Sequence, residues 1–162
     1  MSAERKRPIA LLKRGLVLFW AAWLSLVFVT NVLDGAKEVG LLAESWAFAS
    51  GNYAFLCQTT ARYATPEWVN LLLFGGVICW EGLAAILFWL AWRTYPGRLL
   101  YAAFATGLSL WAAFILADEV FVAYAVEATH WRLFTAQLVT LLAIRLLPEG
   151  EGGDESQKAG SG

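Results

Sequence analysis

One carboxylate, Glu81, stands near the middle of an apolar run, WVNLLLFGGVICWEGLAAILFWLAW, from Trp68 to Trp92. The run has about the length a helix needs to cross a bilayer, roughly 20 residues. An ionisable group in such a helix costs about 2.5–3.5 kcal/mol on insertion scales, so Glu81 must face a helix bundle or a water-filled cavity. No lysine or arginine lies at a comparable depth. Arg93, Arg98 and Arg145 fall near one end of the apolar runs and Arg132 near the other. Without a cationic partner the Glu81 carboxyl is expected to be neutral and to donate a hydrogen bond. Its types of use are a proton- or cation-binding site, a polar clamp between helices (bonded to Thr30, Asn31, Ser109 or Gln137), or a contact with another subunit.

The remaining polar groups extend this choice. Asn31 and Asp34 close the first apolar run on its outer side. Asp118 and Glu119 are adjacent and therefore point about 100° apart on a helix, so one is expected to face the bundle and the other water. If Asp34 and Glu119 meet at the outer end, two carboxylates share a site and can hold a cation. The candidate intramembrane cluster is thus Glu81, Asn31, Asp34, Glu119 and Gln137. His130 is the single histidine, which excludes a bis-histidine haem within one chain; beside Trp131 it is expected to be solvated. Cys57 and Cys79 are read as free thiols, Cys79 as a small packing residue. There is no Gly-rich phosphate loop, HExxH or GxSxG pattern. The sequence therefore supplies no catalytic residue, metal site or cofactor, and the expectation is that the chain is not an enzyme.

The elements that must position these groups follow from composition and periodicity. Hydrophobic residues make up 59% of the chain and charged ones 15%, against about 45–50% and 25% in soluble domains, and the excess lies in long runs. Helices are expected at about 15–33, 67–92, 99–120 and 131–147, forming one membrane domain over 15–147. Residues 1–14 form a basic leader, with an uncleaved first helix after it rather than a signal peptide. Residues 148–162 read as an acidic, Gly-rich, disordered tail. The long connection 34–67 is too long for a simple link. Its aromatic residues Trp46, Phe48, Tyr53 and Phe55 suit a short interfacial helix or a segment folded back on the bundle, broken at Ser50-Gly51-Asn52. Thr65 is expected to cap the second long helix with Pro66 at its first position. On the third, Ala102, Thr106, Ser109, Ala113 and Ala117 recur at helical spacing, the kind of small face that lets membrane helices approach. The lysine and arginine bias places the leader, the Arg93/Arg98 turn and Arg145 on one side, so both termini are expected in the cytoplasm. With no strong net charge, a nucleic-acid partner is not expected; lipid is, with other membrane subunits or a second copy as further partners.

Four segments carry a resemblance: VFVTNVLD (27–34), ICWEGLAAILFWLAW (78–92), ILADEVFVAYAV (115–126) and WRLFTAQLVTLLAI (131–144). Over most of residues 10–147 the chain resembles the bacterial "predicted small integral membrane protein" family of unknown function. The matching positions are Asn31, Asp34, Trp80, Glu81 and Glu119. The chain departs from the pattern around Glu119, which Asp118 precedes and Val120 follows where a small residue and a tryptophan would flank it. The resemblance implies four transmembrane helices in a bacterial inner membrane and no assigned activity.

Together these readings predict an all-α, four-helix transmembrane bundle with an ordered extracytoplasmic segment between its first two helices. The function expected of it is that of a non-enzymatic accessory or interaction protein. The alternative is a proton- or cation-coupled transporter or ion-binding protein using Glu81 with Glu119 and Asp34. A membrane enzyme acting on a quinone or lipid is a third class, for which no nucleophile–base pair or cofactor motif speaks.

Overall fold

The computed structural model describes residues 3–148. Their order is α1 (Ala3–Glu38), α2 (Asn52–Thr60), one 3-10 turn (Ala61–Tyr63), α3 (Glu67–Arg93), α4 (Leu99–Phe121) and α5 (Tyr124–Leu146), with no strand among the described residues. Three helices are long and apolar enough to cross a membrane. They are the Pro8–Glu38 part of α1 and the whole of α3 and α4, with mean hydropathies of 2.1, 2.1 and 1.9. The helix expected at 131–147 forms as α5, as long as α4 at 23 residues. It is not among the three, because Glu127, His130, Arg132, Gln137 and Arg145 dilute its apolar residues.

Successive long helices run antiparallel, α1 against α3, α3 against α4 and α4 against α5. Side chains then bring α5 back to α1: Lys13 Nζ donates to the carbonyl of Leu147 (2.7 Å) and Trp20 Nε1 to Thr140 Oγ1 (3.2 Å). The core between them holds Val17, Trp20, Ala21, Leu24, Ala84, Phe88, Ala103, Phe104, Leu110 and Trp111. Alanines on α1, α3 and α4 allow close approach, and large rings fill the spaces left, as where Phe88 meets Phe104 edge to face at 5.0 Å.

Several boundaries differ from the sequence expectation. The leader from Ala3 is helical and continuous with the first span, since its lysines, arginines and leucines are good helix formers. At its other end α1 runs past Asp34-Gly35 and stops only at Glu38. There Gly40 takes φ +75 and Leu41 N donates to Ala36 O, a Gly-dependent closing turn. The second long helix begins at Glu67, with Pro66 as its extended N-cap and no side-chain cap; Thr65 Oγ1 turns away to the carbonyl of Thr60. The expected connection at 118–131 shrinks to Val122 and Ala123, so α5 starts seven residues early, at Tyr124 rather than 131. Of the small face of α4, Ala102 and Ser109 are exposed and Thr106, Ala113 and Ala117 half-buried. The bundle is met instead by Leu100, Ala103, Phe104, Gly107, Leu110 and Trp111. The expected tail, apart from Pro148, lies outside the described residues.

Candidate functional site

The polar residues that gather do so where α1, α3 and the start of α2 meet. Glu81 is 2% exposed on α3, and Asn31, 1% exposed on α1, faces it. Asn31 Nδ2 lies 2.9 Å from Oε1 and 2.8 Å from Oε2 and donates to the carboxyl group. Of the partners considered from sequence, Asn31 is thus the one used, and Glu81 accepts where it was expected to donate. Thr30 spends its hydroxyl on the carbonyl of Val27 and Ser109 on that of Thr106.

The connection between α1 and α2 supplies the rest. Asn52 Nδ2 donates to Asn31 Oδ1 at 2.9 Å, so an exposed residue is two side-chain hydrogen bonds from a buried carboxyl. Ser50 N donates to Thr30 O, laying the Ser50–Asn52 break alongside α1. The break needs a left-handed residue, and Gly51 (φ +74) provides it as the N-cap of α2. A glycine has no side chain with which to cap. Asp34 caps from α1 instead: its Oδ2 accepts from Tyr53 N (2.8 Å) and from Ser50 Oγ (3.1 Å). Asp34 is only 4% exposed, and a carboxylate at a helix start meets both free N–H groups and the positive end of the helix dipole.

Further contacts fix α2 on α3. The Tyr53 ring meets Phe74 edge to face at 5.5 Å. Thr60 Oγ1 donates to Asn70 Oδ1 (2.8 Å), and Asn70 Nδ2 to Cys57 Sγ (3.6 Å). Burial first, then the neighbouring Cys57 thiol, pushes the Tyr53 phenol up to about 12. Both cysteines are free, Cys79 exposed.

The other candidates lie elsewhere. Glu119 is exposed and does not join Asp34; its neighbour Asp118 is the one turned inward, 5% exposed. Asp118 Oδ2 lies 2.6 Å from His130 Nδ1, and the imidazole stacks on Phe114 at 4.9 Å. His130 is therefore a half-buried link between α4 and α5 rather than a solvated side chain. With its proton on Nδ1 the imidazole donates to the Asp118 side chain. Gln137 is fully buried in the same seam against Gly107, where neither of its amide atoms finds a partner.

Sequence reading overlooked Ser50 and Asn52 as site residues; it weighed Asp118 but took Glu119, and it read His130 as solvated. Ser and Asn flanking a glycine are residue types of helix starts, which was the available signal for the first pair. The choice between Asp118 and Glu119 depends on helix rotation and carried no signal. Chemically, the arrangement at Glu81 can hold a proton or tie three elements together by hydrogen bonds. Among the described residues no cluster of three or more His, Cys, Asp or Glu side chains suits a metal ion. Comparison of the chain with protein-family models, with curated proteins and with solved structures finds no match.

Proposed function

We propose that this chain is a small polytopic integral membrane protein acting as a non-enzymatic accessory or interaction subunit, and that the Glu81 cluster holds its outer segment in place. The observation that carries this reading is the network itself. The inward groups of the segment, Asn52 and Tyr53, are spent on Asn31 and Asp34, and Asn31 is spent on Glu81. Its aromatic residues Trp46, Phe48 and Phe55 are left exposed for a partner or the lipid surface. The small face of α4, exposed at Ala102 and Ser109 and half-buried at Thr106, Ala113 and Ala117, suits a neighbouring helix from another subunit or a second copy.

In this reading α5 is the fourth span. Its length of about 35 Å exceeds the roughly 30 Å of hydrocarbon, and its polar Gln137 and Thr140 face α4 and α1 rather than lipid. The cytoplasmic side is the one where Arg14 donates to the carbonyl of Trp92 and Arg145 lies over Tyr101, joined by Lys13, Arg93 and Arg98. The resemblance to the bacterial small membrane protein family at Asn31, Asp34, Trp80, Glu81 and Glu119, a family with no assigned activity, agrees with this reading and with an inner membrane.

The test is a flux measurement on the full chain reconstituted in vesicles under imposed proton and sodium gradients. An accessory protein gives the leak of empty vesicles, in wild type and in Glu81→Gln alike. A flux that Glu81→Gln abolishes would replace this reading with the transporter one.

A further inference from the structure

Where the 3-10 turn after α2 meets the corner between α4 and α5, a cleft of about 260 Å³ opens at the outer end of the bundle. One wall comes from Phe55, Gln58, Thr59 and Arg62, the other from the corner residues Phe121 to Ala125. The walls are fixed to each other. Tyr63 Oη donates to the carbonyl of Val120 (2.6 Å), and its ring meets Phe121 edge to face at 5.6 Å. The corner itself holds Val122 at φ +55, a left-handed conformation that a β-branched residue adopts only under constraint.

The polar content of the cleft has one sign. Arg62 brings a guanidinium that forms no ion pair among the described residues, and Gln58 brings an exposed amide. No carboxylate lines the space. Beside these polar groups, Phe55, Phe121 and Val122 give the walls apolar surface, and exposed Tyr63 and Tyr124 mark the level of a membrane interface. A phosphate beside a short apolar moiety fits this set: the guanidinium can pair bidentately with phosphate oxygens, and the apolar side chains of the walls take the adjoining glycerol and first methylenes.

We propose that this cleft binds the phosphate headgroup of a phospholipid from the outer leaflet, with Arg62 as its anchor. The inference is independent of what the Glu81 cluster does. It rests on the proposed reading that the chain spans a membrane with this end on the outer side.

The experiment uses the full chain, purified with its lipid and examined by native mass spectrometry, then titrated in nanodiscs with phosphatidylglycerol, with phosphatidylethanolamine and with a phosphate-free glycolipid. Retention of a phospholipid, with Arg62→Gln weakening it about tenfold and Arg62→Lys, which keeps the charge but not the planar fork, weakening it less, is the expected result. Arg98→Gln, at the opposite end of the bundle, should leave retention unchanged. Equal retention of the glycolipid, or equal weakening by Arg98→Gln, would overturn the proposal. So would displacement of the lipid by inorganic phosphate alone, which would make the cleft a soluble-anion site. Arg62→Lys also serves as the folding control, since it keeps the charge.

Discussion

The contact between Asn31 and Glu81 can be tested by a double-mutant cycle. Asn31→Leu keeps the volume at a fully buried position but removes the amide that reaches both carboxyl oxygens, at 2.9 and 2.8 Å. A buried group that loses its hydrogen-bond partner costs about 1–3 kcal/mol, so Asn31→Leu, which takes the amide from both carboxyl oxygens, should destabilise the bundle by about 3 kcal/mol. Glu81→Leu leaves the Asn31 amide without its acceptor, at about 1–3 kcal/mol, here about 2 kcal/mol. Asn52, being exposed, can exchange its lost bond for water and adds little to the global cost, although its segment loses an anchor on α1. If the two residues act on each other, the double variant removes the mismatched group along with its partner. It should then cost no more than about 3.5 kcal/mol, at least about 1.5 kcal/mol below the sum of the single changes. That coupling is at the upper end of what membrane hydrogen bonds show, as suits one amide shared by two oxygens of an acid. Reversible unfolding of the full chain in mixed micelles, followed by tryptophan fluorescence, gives the free energies. For a chain this size Asn31→Leu should lower the midpoint by about 6–12 °C. Single and double variants that add to within about 0.5 kcal/mol would refute the reasoning, because independent sites add.

Gln137→Met keeps the length of the side chain against Gly107 and removes two amide atoms that have no partner; unfolding should show stabilisation by about 1–2 kcal/mol. Gly82→Ala should cost about 1–3 kcal/mol in the same assay, because a new Cβ would sit 2.9 Å from the Phe28 ring, which must shift within the α1–α3 seam. Tyr53 should ionise late in an alkaline ultraviolet titration, near 12, and Tyr53→Phe should remove that late component. The sign follows from burial: the folded state holds the phenolic proton more tightly than the unfolded chain, with its ordinary value of 10.0. The stability this represents is present in full below about pH 10 and fades as pH rises toward about 12, loosening α2 from Phe74.

The long helices were legible because sustained apolar runs with charges toward their ends are a strong signal. α3 and α4 begin and end close to where composition places them. α1 and α5 overrun because polar residues such as Lys13 or Glu127 do not stop a helix; they only leave the apolar layer. Glu81, Asn31 and Asp34 could be singled out by the cost of burying them, and the structure does place all three in one region. What each one touches depends on helix rotation and on a backbone turn at Gly51. A single sequence therefore suggests neither Asp34 capping a helix from another element nor Asp118 turning inward in place of Glu119. Gln137 was grouped with Glu81 on polarity alone, yet the packing puts it across the bundle in the α4–α5 seam.

Hydrogen exchange of the backbone over residues 50–60, in the full chain in nanodiscs, tests most directly whether the buried cluster holds the outer segment. The account predicts slow exchange at the Tyr53 amide and through α2 in wild type. Protection should be largely kept in Glu81→Gln, which retains an oxygen for Asn31, and lost by tenfold or more in Asn31→Leu. Unchanged protection of 50–60 in Asn31→Leu would contradict it, since the segment would then be held by something other than the network that ends on Glu81.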